Sequence, residues 1–529
     1  IFSVLAIARP EAILGALGFL VLWLFAPLSA AWISRAAPTQ TLHLTQKDEK
    51  YLHLLARKTW LFFERFVNAE NHWLPLDNVQ EFPIPVMARR TSPTNIGLSL
   101  LANLSAYDFS FISSSRLLER CSLCIDTMQR LPRFQGHFYN WYNTEDLQPL
   151  LPQYVSTVDS GNLAGHMLIL RAGLSSLPSE PIFRWSYFGA LKDTYHILCS
   201  HLTEQNVKSI ASLGIALDQA CMRESNDLLI AHRALIDIRD LCVNLADLLP
   251  DTSGNQTDDV VQVWRDALIE QSQDLLTDLE HRCPWLHKSH LLSHERIQAF
   301  SELSVIPSHQ ALVQLHEDFL AHIDQFQQSE NTASSKASND FSGGLRSEFE
   351  VATILSETEQ SQAQAQFNQF ILHVHQLTLL ASARASTQLL AIKALCAKID
   401  ELSDMEYDFL YNRTSHLLAI GYNVTERRLD SGAYDLLASE ARLATFVGIA
   451  QNKLPQESWF ALGRQLTIAN GEPILLSWSG SMFEYLMPLL VMPDFKHTLL
   501  HQTYHAAVQR QIDYGKERQI PWGISESAY

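Results

Sequence analysis

The chain has 529 residues, enough for two to four domains, and is 47% hydrophobic and 18% charged. A formal net charge of −18 argues against a nucleic-acid partner, whose phosphates call for basic patches. Seven cysteines, an odd number widely scattered, argue against a disulfide framework and mildly favour a reducing compartment.

The first residue is Ile1 rather than Met, so the true start is expected to lie upstream. The stretch AILGALGFLVLWLFAPLSAAWI, 12–33, carries no charge, and its length suits about 30 Å of hydrocarbon. A transmembrane helix is therefore expected within 1–36, with Pro27 tolerated; the apolar run is too long for a signal peptide. Arg35, Lys47 and Lys50 after the span, against Arg9 before it, place the part that follows in the cytoplasm.

An amphipathic helix is expected within 37–70, where YLHLLARKTWLFFERFV repeats apolar residues every three or four positions. A proline-rich irregular stretch follows, and a new helix should start near Thr94, since SPTN offers caps. SSSRLLERCSLCIDTMQRL reads as another helix. Its Cys121 and Cys124 lack the second pair that a zinc site would need, which leaves them as core or surface thiols. The loop from Pro132 to Asn162 is rich in Tyr, Trp, Asn and Gly and leads into the apolar helix NLAGHMLILRAGL. From about Leu191 to Leu402 glycine nearly vanishes, and Leu, Ala, Gln, Asp and Glu at helical spacing predict a bundle of long helices. SENTASSKASNDFSGG, 329–344, interrupts it as a low-complexity loop. From Glu406 the aromatic, loop-rich style returns and lasts to Tyr529. No run of alternating strands stands out, so the class is all-α.

The loops GHFYNWYNTEDLQPLLPQYVSTVDSGN and RRTSPTNIG are dense in groups that suit a sugar. Tyr139, Trp141 and Tyr142 offer flat apolar faces, and Asn140, Asp159 and Asn162 offer polar edges, the mixture usual in a ligand pocket; a loop cluster that only plugs the core is the alternative. Three carboxylates stand in notable settings. Glu440 lies in YDLLASEARLATF, read as a buried helix face where Glu440 and Arg442 could form a structural ion pair. Glu484 lies in SWSGSMFEYLMPLL after a Gly-Ser turn, and Glu526 lies in QIPWGISESAY. A glycosidase needs two carboxyl groups across the scissile bond, one a proton donor and the other a nucleophile or base. Composition alone does not choose a pair from 57 acidic residues. His497, His501 and His505 share a helix face without a completing glutamate, and Cys283, His287, His290 and His294 form only a loose cluster. No metal site and no cofactor are expected.

RRTSPTNIGL, GHFYNWYNTEDLQPLLPQYVSTVDSGNLAGH, YDLLASEARLATFVGIA, SWSGSMFEYLMPLLVM and QIDYGKERQIPWGISESAY together resemble the bacterial cyclic β-1,2-glucan synthases, in the glycoamylase-like region that follows their membrane spans. The resemblance runs from the membrane helix to the last residue and is least distinctive over the insert. It implies an (α/α)6 toroid, incomplete at the C-terminus, in four parts: 1–36 the membrane helix, 37–190 the first part of the barrel, 191–402 a helical insert, and 403–529 the second part. It implies a transglycosylase that cleaves linear β-1,2-glucan with retention and closes it into a ring. A hydrolytic endo-β-1,2-glucanase and a non-catalytic glucan-binding module are the alternatives. Carried over, Glu440 is the general acid/base and Glu526 the nucleophile, with Tyr139, Trp141, Asp159, Trp478, Glu484 and Trp522 as glucan contacts. The implied partners are the β-1,2-glucan chain, the membrane, and glycosyltransferase and phosphorylase-like domains of the same longer chain. The implied location is the bacterial inner membrane.

Overall fold

A computed structural model describes residues 12–33, 44–81, 83–223, 225–249, 256–287, 301–336, 357–469, 471–523 and 525. Its main helices are α1 (Ala12–Ile33), α2 (Gln46–Phe66), α3 (Pro93–Asp108), α4 (Ser114–Arg130), α5 (Thr157–Ser176), α6 (Ser186–Ser200), α7 (Ala211–Cys221) and α8 (Leu228–Val243). Five more follow: α9 (Gln256–Arg282), α10 (His309–Lys336), α11 (Glu357–Ser403), α12 (Ala441–Ala450) and α13 (Leu499–Arg518). The all-α expectation holds. The described strands are only two to four residues long and pair in small antiparallel sheets. Those used below are β1 (Arg90–Thr91), β2 (Tyr142–Asn143), β3 (Tyr154–Ser156), β4 (Gly421–Asn423), β5 (Arg428–Leu429), β6 (Leu466–Ala469) and β7 (Glu472–Leu475).

The transmembrane expectation for 1–36 is not returned. Among the described residues no helix is long and apolar enough to cross a membrane. The stretch 12–33 does form a helix, α1, with Pro27 inside it.

The chain divides into two compact units, Asp48–Arg464 and a second made of Ile1–Lys47 with Gln465–Tyr529. Within the first unit, α3 begins where the sequence offers its cap: the Asn95 N–H donates to Ser92 Oγ (3.1 Å), and Pro93 stands in the first turn, where its missing N–H costs nothing. The aromatic loop that the sequence extends to Asn162 ends earlier. Ser156 caps α5, accepting from the Asp159 N–H (3.3 Å), so Asp159, Ser160 and Asn162 lie on the opening turns of a helix.

Helix α5 is the axis of this unit, and α3, α11 and α12 all pack on it. Gly161 explains how closely α12 approaches: a Cβ there would lie 2.2 Å from the Ala444 Cβ and 2.3 Å from its Cα. The 47-residue α11, about 70 Å long at 1.5 Å per residue, also runs against α4 and α10. Helices α6 to α11 share an apolar core that includes Phe188, Leu217, Leu235, Trp264, Phe319 and Val374. Arg57 of α2 ties into it, fully buried, donating from Nε to Thr194 Oγ1 (2.8 Å) with its guanidinium 5.2 Å from the Trp264 ring.

In the second unit, β6 and β7 form a hairpin against which α13 packs, anchored by the Leu475 N–H donating to Thr503 Oγ1 (3.1 Å). Helix α13 stops at Gln519, whose φ of +58° is left-handed, and the Ile520 N–H donates back to the Gly515 carbonyl (3.0 Å). A Cβ at Gly515 would meet Ile520 O and Trp522 Cβ at 3.0 Å, so the chain after the helix folds tightly back over that glycine.

Candidate active site

The first unit brings several of the quoted sequence blocks to one place around Asp159. Strand β1 pairs with β2, joining RRTSPTNIG to the NWYN turn. Thr94 at the head of α3 donates from Oγ1 to Asp159 Oδ1 (2.6 Å), and Asn162 Nδ2 donates to Thr94 Oγ1 (3.0 Å). The Asn140 amide, in the orientation that satisfies both neighbours, donates to Asp159 Oδ2 (2.9 Å) and accepts from Trp141 Nε1 (3.2 Å). Each carboxylate oxygen of Asp159 thus has its own donor, which fixes the group's plane. Burial pushes its carboxyl above the ordinary range, against the lowering effect of the hydrogen bonds from Ser156 and Thr94.

Trp141 is partly exposed, and the Arg90 guanidinium covers one face of its ring at 4.7 Å. Asp77 holds Arg90 in turn, accepting from Nε (3.1 Å) and Nη2 (2.9 Å). One face of Trp141 is therefore taken by protein. Tyr139 and Tyr142 are core residues rather than platforms: Tyr139 is 7% exposed, its N–H donates to the Tyr142 hydroxyl (2.7 Å), and Tyr142 is fully buried. For these two tyrosines the core-plugging alternative is the better description.

The segment that carries Glu440 reaches the same region through α12. Glu440 is 3% exposed, as its apolar neighbours predict, but it is not on a helix face. It stands at the turn immediately before Ala441, after Ser439 with a left-handed φ of +49°, and the Ser439 hydroxyl donates to Glu440 Oε2. Arg442, two residues on, is fully buried in the first turn of α12. Between the Asp159 and Glu440 segments lies Tyr434, whose side chain packs with Val158, Ala438 and Ala441. The charges of Asp159, Glu440 and Asp430 all act on its phenol, which burial and those charges keep firmly protonated. Asp430 is held by Tyr154, whose hydroxyl donates to Oδ2 (2.6 Å). Gly421 makes this reach possible, because a Cβ there would come within 2.2 Å of the Tyr154 hydroxyl. Tyr434, Tyr154, Asp430, Thr94 and Ser439 were not singled out from the sequence. Tyr434 stands in the same quoted block as Glu440, six positions before it, which is the one signal that could have found it.

The remaining candidates belong to the second unit. Glu484 is 2% exposed, and its Oε2 accepts from the Ser479 N–H (2.9 Å), the Ser479 hydroxyl (2.6 Å) and the Gly480 N–H (3.1 Å). The Glu484 N–H donates to Ser481 Oγ (3.2 Å), so Ser481 caps the short helix Met482–Leu486, while the carboxylate holds the Ser479–Gly480 turn before it. Trp478 and Trp522 are 56% and 53% exposed and present open ring surface. Glu526 lies outside the described residues. No group of metal-ligating side chains that could hold an ion is found among the described residues.

No protein-family profile matches the chain. A putative glucoamylase of known structure from Bacteroides fragilis NCTC 9343 is 20% identical, over 26% of this chain and 33% of that one, with a TM-score of 0.21, too weak a likeness to carry an argument. The cyclic beta-(1,2)-glucan synthase NdvB of Rhizobium meliloti (strain 1021) is 32% identical over 516 residues, 97% of this chain. The chain spans 15% of the length of that relative. The chain is thus similar along almost its whole length to one segment of that much longer cyclic beta-(1,2)-glucan synthase.

Proposed function

We propose that the chain is a transglycosylase module that cleaves linear β-1,2-glucan with retention of configuration and closes it into a ring. The observation that carries this reading is the gathering of RRTSPTNIG, the NWYN turn and the STVDSGN helix start at Asp159, with the segment of Glu440 joined to it through Tyr434. A partly exposed tryptophan beside fixed carboxylates suits a neutral sugar, which stacks on a ring face and donates hydroxyls to carboxylates. The fold assigned with this function is an (α/α)6 barrel formed by 37–190 and 403–529, with 191–402 as its helical insert. The chain corresponds to a small part of its long relative, and in this reading synthesis of the linear glucan belongs elsewhere in such a protein.

The chemistry runs in two displacements. Glu440, as the acid, protonates the departing glycosidic oxygen while the Glu526 carboxylate attacks the anomeric carbon and forms a glycosyl ester. Glu440, now a carboxylate, takes the proton from a 2-hydroxyl at the far end of the same glucan. That oxygen attacks the anomeric carbon, and the Glu526 carboxylate leaves. Ring closure requires the sugar hydroxyl to reach the ester before water does.

Incubating the chain with linear β-1,2-glucan and weighing the products tests this. The expected products are rings, one water lighter than linear chains of equal length and without a reducing end. Linear oligosaccharides alone would replace the reading with an endo-β-1,2-glucanase, and intact glucan that binds without cleavage would replace it with a binding module. Azide rescue separates the two carboxylates: a glycosyl azide of inverted configuration is expected from Glu526→Ala, and obtaining it from Glu440→Ala instead would exchange their roles.

A further inference from the structure

We propose that Arg90 and Asp77 are positioning residues for the substrate: they hold the Trp141 indole in one orientation, as a preformed stacking surface for a glucose unit of the glucan, in register with Asp159. The inference rests on the transglycosylase reading above and adds to it the two groups that set the platform. The indole is fixed at two points. The Arg90 guanidinium lies over its ring at 4.7 Å, and its Nε1–H donates to the Asn140 amide oxygen (3.2 Å). The first contact sets which face is covered, and the second sets how the ring is turned in its own plane. The backbone on either side is pinned as well, since the Trp141 carbonyl accepts from the Leu150 N–H (2.8 Å) and Tyr142 pairs with Thr91 across β1 and β2.

Arg90 is itself held in place. Its Nε and Nη2 both donate to Asp77 Oδ2 (3.1 and 2.9 Å), and the Asp77 N–H donates to the Arg90 carbonyl (2.8 Å), so side chain and backbone are tied to the same residue. Asp77 Oδ1 accepts from Asn95 Nδ2 (3.2 Å) in the first turn of α3. The contacts therefore close on themselves. From Asn95 they run through Asp77, Arg90, Trp141 and Asn140 to Asp159, and they return through Thr94, the residue beside Asn95. The tryptophan and the carboxylate are thus anchored to one helix start from two sides, which fixes the offset between them. The Arg90 and Asp77 side chains are 50% and 18% exposed, so this ion pair adds little to the stability of the fold, and its contribution is orientation. A platform set in advance spares the binding step the entropy of ordering a large side chain. A glucose ring suits it, because the C–H face is apolar while the hydroxyls at the rim stay free for a carboxylate.

The test is a double-mutant cycle on linear β-1,2-glucan, with kcat and KM measured below the lowest Tm of the set. Arg90→Ala uncovers the ring and should raise KM about threefold with kcat little changed. Asp77→Asn keeps an acceptor for Asn95 but turns an amide toward the Arg90 donors, and it should move KM in the same direction. Trp141→Ala should raise KM about tenfold, and in that background neither change should raise it further, because both act through the ring. If Arg90→Ala keeps the parental KM, or raises it equally with and without Trp141, the inference fails. It fails too if Arg90→Ala lowers kcat and leaves KM alone, since the residue then serves the chemistry or the fold and not the platform. An unchanged KM in Trp141→Ala removes the platform itself. In each of these cases, rings formed by the parent from linear glucan leave the transglycosylase reading standing. If the parent does not cleave linear glucan, that reading has failed and this inference falls with it.

Discussion

The contact between α5 and α12 gives the sharpest test of the site's construction. Replacing Gly161 with alanine adds one methyl group, placed 2.2 Å from the Ala444 Cβ and 2.3 Å from its Cα. Both obstacles belong to a short side chain and the backbone, so no flexible group can swing aside. Restoring even a close van der Waals separation near 3.4 Å means displacing α12 by about 1.2 Å. Overpacking of this kind costs about 1–3 kcal/mol. The displacement also moves Glu440, which stands immediately before α12, relative to Asp159 two residues before Gly161 on α5. A misplacement of ~1 Å in a catalytic group can cost about a hundredfold in rate. We therefore expect Gly161→Ala to lower Tm by several degrees and turnover on linear β-1,2-glucan by ten- to a hundredfold, measured below the new Tm so that unfolding does not count as lost activity. A folded variant with parental Tm and parental rate would refute the claim that this crossing sets the site.

Asp159→Asn should be worse than a simple loss of charge. The new amide presents one N–H₂ group either to Thr94 Oγ1 or to Asn140 Nδ2, both now donors, so one contact is broken at about 1–3 kcal/mol, and turnover should fall even where the fold survives. Trp141→Ala should raise KM for glucan about tenfold, roughly 1.4 kcal/mol, with less effect on kcat, since the free ring face contributes binding rather than chemistry; an unchanged KM removes Trp141 from the substrate surface. Acid should destabilise the fold. Burial pushes His137 and His166 down to about 4 from an unfolded value near 6.5, so the unfolded chain binds more protons between those limits and stability drops as pH falls through that window. Each would account for about 3 kcal/mol, and stability should not change on this account above pH 6.5. Neither ring nitrogen of His166 has a partner among the described residues, so His166→Leu should flatten the acid slope without loss at pH 7. A chemical-denaturation series from pH 8 to 4 reads this out, and an unchanged slope in His166→Leu would count against it.

The legible parts of this sequence were those governed by local physics. Helix α3 could be placed to within a residue because Ser92 and Pro93 are cap and first-turn residues whatever they pack against. The burial of Glu440 followed from the apolar residues around it. The same reasoning misplaced it on a helix face, because the turn at Ser439 needs a left-handed φ that serine adopts only under tertiary constraint. The opening of α5 was read as loop for a related reason: Thr157, Asp159, Ser160 and Asn162 are poor helix formers. They are helical here because Ser156 caps them and because Thr94, Ala419 and His137 hydrogen-bond to their side chains.

Glu484 and Tyr434 show why composition alone could not sort the candidates. Glu484 looked chemical because a carboxylate in an apolar segment is expensive to bury. Its Oε2 accepts from two backbone N–H groups and a hydroxyl within five residues, which lowers the cost of burying the charge. Tyr434 carries no local signal, since it is one aromatic in an apolar segment. The charge of Asp159, 275 residues away in sequence, acts on its phenol, and no local pattern reports that. A local pattern can report that a polar group is buried, but whether its partners are local or distant decides between a cap and a site.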